Sequence, residues 1–463
     1  MNNKYKTLIK DTLIFGIGSL GSKVILFLLV PIYTNFLTTA EYGTADLVTT
    51  FATLLVPFTA LSVNNAVIRF GMKDDVKKEN VIKSSLLVLI ISAVVTFLLL
   101  PMVGLYHAVA EWRVHLLLIV FLTNFSEIGK NYLKVKNRNK TFSIIGIAQT
   151  AVLAVTNIIM LTVLKTGVSG YLLAHIVALA FSSVACFFTA GIHKDIFIGR
   201  IDKYLLKEML RYSSPLVFSG ISWWVLHSSD KIMIEWMIGA TILGIYTAAT
   251  KIPSLINVII GVFNQAWGLS SIREVETSND KGFYVSIFNK FTFFLFGAAL
   301  IFIAICKPFM SYYVGADFQE SWRLTPFLMV AAVFYSIFAF IGSLYTAIQK
   351  SVNDMWTSVL CAVMNIIINY VGIKMIGVWG AVIGTVSSYF VFSIVRIIDI
   401  RKLMSFRIDL KRLMISALFI FVEAYCVTQE MLAVPISILC CLFFAIIYYK
   451  NIKSMIINYL HKL

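Results

Sequence analysis

Apolar residues run through the chain in long, nearly unbroken stretches separated by short polar turns. Fourteen such segments stand out, at 12–36, 44–68, 84–106, 114–133, 143–164, 168–190, 212–234, 240–267, 286–306, 324–347, 355–376, 379–398, 413–429 and 431–449. Most reach the ~20 residues that carry a helix across a bilayer's hydrocarbon. The runs are continuous, as from Ser84 to Leu100. They lack the strict alternation of a barrel strand, so helices are predicted. The longest connections, near 191–211, 268–285, 307–323 and 399–412, leave no room for a soluble domain. The pattern predicts an all-α membrane protein with about fourteen transmembrane helices.

Composition narrows the class further. Of the 463 residues, 59% are hydrophobic and only 13% are charged. A soluble body of this size carries about twice that share of charge to wet its surface. A soluble enzyme, a disordered chain and a secreted disulfide scaffold are excluded. The cysteines, Cys186, Cys306, Cys361, Cys426, Cys440 and Cys441, all fall in apolar segments without metal-binding spacing. They are expected to pack as small hydrophobes, with no metal site and no cofactor. Lys4, Lys6 and Lys10 precede a first segment long enough to span and not closed by a small-residue cleavage site. No removable signal peptide is expected.

The net charge of +16 acquires meaning only when placed along the spans. With a cytoplasmic N-terminus, just five bases fall in outer loops: Arg113, Lys165, Lys307, Arg323 and Lys374. Lys23, Lys231 and Lys251 lie within segments, and the other thirty-one of the 39 Lys and Arg fall on the inner side. A wrong span count would scramble this alternation. The bias predicts a multi-pass membrane protein with both termini cytoplasmic. It also assigns the excess charge to orientation and anionic membrane lipids, not to nucleic acid.

The chain contains a weak internal repeat. Phe36-Leu37-Thr38-Thr39-Ala40-Glu41-Tyr42-Gly43 resembles Met237-Ile238-Gly239-Ala240-Thr241-Ile242-Leu243-Gly244. Six segments, an even number, separate the copies, so both have the same membrane orientation. This is a parallel repeat, and transporters of that build place substrates between the repeats. The expected organisation is a first helical bundle at 1–190, a basic cytoplasmic linker at 191–211, a second bundle at 212–398, and two further helices with a cytoplasmic tail at 399–463.

Several motifs resemble one family. Pro31-Ile32-Tyr33-Thr34 with Glu41-Tyr42-Gly43 closes the first hairpin. Ser229-Asp230-Lys231-Ile232-Met233-Ile234 is followed by Gly244-Ile245-Tyr246-Thr247-Ala248-Ala249-Thr250-Lys251-Ile252. Asn365 and Asn369 precede Gly377-Val378-Trp379-Gly380-Ala381. Their order and spacing resemble the O-antigen flippase type of oligosaccharide exporter, a polysaccharide-biosynthesis branch of the multidrug/oligosaccharidyl-lipid/polysaccharide (MOP) superfamily. The resemblance implies two six-helix bundles in a V around a central cavity. It implies a non-enzymatic flippase that moves undecaprenyl-diphosphate-linked glycan repeat units from the inner to the outer leaflet of a bacterial cytoplasmic membrane. A polysaccharide polymerase and other assembly proteins are the partners it suggests.

Moving a diphosphate through hydrocarbon requires a wet, cationic path, because burying an unpaired ion costs an idealised ~20 kcal/mol. Lys23 lies about 20 Å along the first helix from Lys10, and Lys251 lies about ten residues into the eighth. Both are too deep to reach the interface with ease, and an intramembrane base is a functional candidate. The related lipid II flippases line their cavity with bases from helices 1, 2 and 8. By that resemblance Lys23, Arg69 and Lys251 are candidate substrate-binding cations, set against structural ion pairs or snorkelling ends. Asp230 and Lys231 are candidates for an outer gate, against a helix-end fold role. Glu127, an i,i+3 neighbour of Lys130, and His175, which can titrate near neutral pH, complete the candidates for gating or ion coupling. Asn64, Asn65, Asn157, Asn264, Gln265, Asn365 and Asn369 can serve sugar hydroxyls or hold helices together.

Other motifs carry no chemistry. Gly16-Ile17-Gly18-Ser19-Leu20-Gly21 spells a dinucleotide fingerprint, but no strand precedes it. Helix packing is the better reading, as for Gly377, Gly380 and Gly384. Two alternatives to the flippase remain at this stage. One is a cation-coupled multidrug exporter of the same superfamily, although mid-depth lysines suit anions better. The other is a membrane polymerase or ligase, for which the outer loops offer little material. Membrane potential and ion antiport both remain open as the energy source, with alternating access as the expected motion.

Overall fold

The computed structural model describes residues 21–449 except 278–280, 405 and 407. Lys4, Lys6, Lys10, the stretch Gly16 to Leu20, the side chains of Asn264 and Gln265, and Lys450, Lys453 and Lys462 lie outside the described residues. Among the described residues there is no strand. Within the described residues the apolar segments fall mostly on helices, so the all-α membrane class holds. Seven helices are long and apolar enough to cross a bilayer by length and composition, or eight if one bent pair is a single span.

The chain divides into two units. The first comprises residues 1–235 and 239–244, and the second 236–238 and 245–463. The first unit begins with α1 (Gly21–Phe36). α2 (Thr39–Thr59) follows at once because Thr38 and Glu41 form a reciprocal capping box. The Glu41 N–H donates to Thr38 Oγ1 at 3.2 Å, and the Thr38 N–H donates to Glu41 at 2.8 Å. The segment expected to run unbroken over 44–68 is in fact two helices. Pro57 sits in the last turn of α2, and Leu61 and Ser62 adopt left-handed backbone before α3 (Val63–Gly71). Two consecutive left-handed residues cannot continue a right-handed helix, and the axis bends by 52°.

α4 (Lys78–Val103), the short α5 (His107–Ala110), α6 (Arg113–Val135), α7 (Asn139–Ile158) and α8 (Gly167–Thr189) complete the first set. A π turn at Ile159–Val163 prolongs α7. The basic stretch 191–211 is itself largely helical. It forms α9 (Ile192–Ile198) and opens α10, a 35-residue helix over Lys203–Met237. The stretch is stitched to neighbouring turns. Asp195 accepts from Lys136 at 2.5 Å and from the Tyr132 hydroxyl at 2.8 Å. Lys83 donates to the Gly199 carbonyl at 2.9 Å. These bonds gather the α3–α4, α6–α7 and α8–α10 connections at one end of the unit. Beneath them lies a core of Val63, Val67, Val81, Ile82, Tyr132 and Leu133.

The second unit contains most of α11 (Ala240–Thr277), then α12 (Lys281–Tyr313), α13 (Ser321–Ala347), α14 (Ser351–Ile376), α15 (Val378–Leu403), α16 (Leu410–Thr428) and α17 (Ala433–Ile447). α13 is the most buried of the candidate spans, at 78% of its apolar window. α14 and α15 form a tight pair turned by Gly377 at φ 62°. Gly380 lies directly against the Gly372 backbone, where a Cβ would have no space. The close-packing role expected of Gly380 is thus met by a partner glycine on the facing helix. All six cysteines are free thiols, four of them buried.

Candidate functional site

Polar side chains within the apolar helices of the first unit gather in two places. The first lies near the end that carries the α1–α2 turn. Asp46, about 10 Å into α2, receives Lys231 of α10 at 2.7 Å. Both side chains are mostly buried, at 8% and 17% exposure. The Lys231 backbone N–H donates to the Asp230 carboxylate at 2.9 Å. Deeper along the same two helices, Trp224 Nε1 donates to the Thr50 carbonyl at 3.0 Å and to Thr53 Oγ1 at 3.2 Å. The Tyr106 hydroxyl, from the turn before α5, bonds Glu235.

The repeated turns meet here. A Cβ on Gly43 would strike the Ala240 carbonyl and the Gly244 nitrogen, and one on Gly244 would strike the Thr39 carbonyl. Equivalent residues of the two copies thus face each other reciprocally, as a local two-fold relation requires. Behind this layer Tyr33, Tyr42 and Tyr171 pack ring to ring at 4.9 to 6.4 Å. His175 lies over Tyr171 at 4.6 Å and its Nδ1 is 2.9 Å from the Tyr171 carbonyl.

The second group surrounds the break between α2 and α3. Asn64 donates to Glu127 at 2.9 Å, and Asn131 donates to the Asn64 carbonyl at 2.9 Å. Lys130 donates to Gln149 of α7 at 2.6 Å. Glu127 and Lys130, the anticipated i,i+3 neighbours, each also hydrogen-bond a side chain of another helix. Ser22, on α1, reaches the Gly146 carbonyl of α7 at 3.5 Å. Lys23 is exposed beside it, and Arg69 is exposed in the last turn of α3. Lys251 belongs to the second unit, about 17 Å into α11 and half-buried.

A family model described as polysaccharide biosynthesis protein matches residues 8–268, more than half of the chain. The chain belongs to the polysaccharide biosynthesis protein family. No curated protein of assigned function matches the sequence significantly. Among solved structures, the lipid II flippase MurJ in an inward closed conformation is similar over 95% of this chain and 100% of its own, with TM-score 0.69 and 14% identity. A multidrug resistance MATE family transporter of the MOP superfamily is similar in its inward-facing conformation at TM-score 0.61 and 19% identity, over 86% of this chain and 94% of its own. Its outward-facing form is similar at 0.61 and 20%, over 86% and 96%. At these identities the likeness establishes a shared fold.

For a member of this family, three of the site's residues escaped sequence reasoning. Asp46 is the sole acid in the segment 44–68, a visible signal that pointed to no partner. Trp224 sits within, and Glu235 just beyond, a segment read for Asp230 and Lys231 instead. In the second unit, Arg396 was grouped with inner-loop bases by its place near a helix end. It is 1% exposed. Its guanidinium bonds Asp354 at 2.6 Å, Thr357 at 2.9 Å, Ser358 at 2.8 Å and the Phe338 carbonyl at 2.8 Å. Asn365 and Asn369 are buried. Asn365 bonds Thr385 across to α15, and Asn369 bonds Asn365, which suits the interhelical role. Asn157 is buried too, returning a bond to Leu153.

Proposed function

We propose that this chain is a flippase for undecaprenyl-diphosphate-linked oligosaccharide repeat units, carrying them from the inner to the outer leaflet by alternating access. The observation that carries the reading is the polysaccharide biosynthesis match over residues 8–268 on a transporter fold. A family of that kind requires its polar, lipid-anchored intermediates to cross the membrane. This fold offers a way across without covalent chemistry. The lipid tail remains in the bilayer, so only the diphosphate and glycan need a hydrated path.

Lys23, Lys251 and Arg69 are the cations proposed to escort the diphosphate. Lysine meets phosphate as a point charge without a bidentate clamp, which suits a headgroup that must also be released. The Asp46–Lys231 pair is the proposed outer closure, with Asp230 flanking it. Glu127 and His175 are secondary candidates for coupling. In this reading fourteen helices span the membrane, both termini are cytoplasmic, and polymerase and assembly proteins receive the product outside. An interior-negative potential drives an uncompensated head anion outward with ~2.3 kcal/mol per charge per 100 mV.

Gene deletion tests the proposal. A lipid-linked glycan should accumulate on the inner leaflet and surface polysaccharide should fall. Normal surface glycan with new drug sensitivity would overturn it in favour of a multidrug exporter. Lys23→Gln and Lys251→Gln should each cut glycan export severalfold, and the double variant should abolish it at unchanged protein level. Undiminished export by the double variant would remove these lysines from the path.

A further inference from the structure

Neutral amide side chains make up most of the polar group at the α2–α3 break. Its members come from three helices: Asn64 and Asn65 from α3, Glu127, Lys130 and Asn131 from α6, and Gln149 from α7. All six are exposed or half-buried on helices whose other residues are mostly apolar. An exposed carboxylate at that depth is not tolerated against lipid, so this face borders water. Measured along α6, Glu127 lies about 12 Å above the basic end at Val135; along α7, Gln149 lies about 15 Å above Asn139. The group therefore sits in the inner half of the membrane.

Asn64 is clasped on three sides. Its side chain donates to Glu127 Oε2 at 2.9 Å and accepts the Asn65 N–H at 3.0 Å, while its carbonyl accepts Asn131 at 2.9 Å. The backbone break makes this geometry possible, because it starts a new helix with Asn64 at its second position. The clasp orients groups that have no protein partner among the described residues. These are Glu127 Oε1 and Asn131 Oδ1 as acceptors, and the Gln149 amide N–H groups as donors. The Asn65 side chain adds one of each. Glu127 is offset by Lys130 and, one turn further along α6, by Lys134, so the group carries no net negative charge. The outcome is a surface of interleaved donors and acceptors, which is what sugar hydroxyls need, since each hydroxyl both donates and accepts.

We propose that this group is a glycan-recognition platform, taking the neutral, polyhydroxylated part of the substrate while the diphosphate is held elsewhere. The inference rests on the flippase reading and deepens it. It moves Glu127 from ion coupling to sugar selection.

The test uses the full chain in lipid nanodiscs and two probes. One is undecaprenyl diphosphate; the other is the lipid-linked oligosaccharide extracted from cells deleted for the gene. Glu127→Gln preserves shape and removes the charged acceptor. Gln149→Leu leaves the Asn64 clasp untouched and guards against misfolding of the first variant. Each should bind the glycosylated lipid about tenfold more weakly, as expected for loss of hydrogen bonds that include a charged partner. Binding of undecaprenyl diphosphate should stay within about twofold, because no phosphate contact is lost. Equal weakening for both probes, or no weakening for either, overturns the platform. If the unsubstituted chain binds neither probe, or deletion yields no lipid-linked glycan, the flippase reading itself falls.

Discussion

Arg396 shows how much a single buried cation demands of its surroundings. Its guanidinium is enclosed by α13, α14 and α15, stacked 3.4 Å from the Phe338 ring centroid and bonded to Asp354, Thr357, Ser358 and the Phe338 carbonyl. Its planar fork serves these partners at once, which a lysine ammonium cannot do. Removing one partner of such a pair leaves polar groups stranded, at a cost of about 3–5 kcal/mol. Arg396→Met should therefore sharply lower the melting temperature and yield of the purified chain, and Arg396→Lys should recover only part of the loss. A melting temperature unchanged in both variants would contradict the assignment. The sequence displayed this arginine but not its burial. A base seven residues from a helix end reads as a snorkelling charge, and only the approach of two other helices makes it interior. Asp46 presents the opposite case. A lone acid in an apolar run announces that a partner exists, and it took the fold to supply Lys231 from 185 residues away.

At the scale of elements, the hydrophobic pattern is the most informative part of the chain because a spanning helix is specified by composition rather than by packing. That is why the apolar segments, within the described residues, fall mostly on helices. The break at Leu61 and Ser62 was not legible, since neither residue advertises left-handed backbone as glycine does. The helical linker was not legible either, since α9 owes its place to Asp195, Lys136 and Tyr132 bonding across connections. The repeat was readable, and it has a mechanical consequence. Its two glycines let the starts of α2 and α11 touch backbone to backbone, and the Asp46–Lys231 pair ties α2 to α10 one layer below. Asp46→Asn or Lys231→Met should each cost ~2–3 kcal/mol, as expected for a mostly buried pair left with one member. The charge-swapped double variant, Asp46→Lys with Lys231→Asp, should regain part of that. Thermal unfolding of the four proteins forms a double-mutant cycle. Zero coupling would reduce the pair to a passive contact.

At the scale of the whole molecule, charge placement and structure make one joint claim about orientation. The bias places nearly all bases on alternate connections. In the first unit, three of those connections are bonded into one end: Lys78 reaches the Val135 carbonyl at 3.4 Å, Lys136 the Ala190 carbonyl at 2.8 Å, and Arg138 the Thr189 carbonyl. Helices of about one bilayer thickness separate that end from the α1–α2, α4–α6 and α7–α8 turns. The positive-inside argument expects these connections to lie on the cytoplasmic side. Orientation itself follows from which face is cytoplasmic, and that can be measured. With the six native cysteines replaced by alanine or serine, single cysteines at Asn137 and Arg200 should resist a membrane-impermeant maleimide added to intact cells and react after permeabilisation. Cysteines at Lys165 and Glu430 should react from outside without it. The reverse pattern would invert the proposed direction of transport. Labelling of Asn137 and Lys165 from the same side would mean that α7 does not cross, and would break the count of fourteen on which cytoplasmic placement of both termini depends.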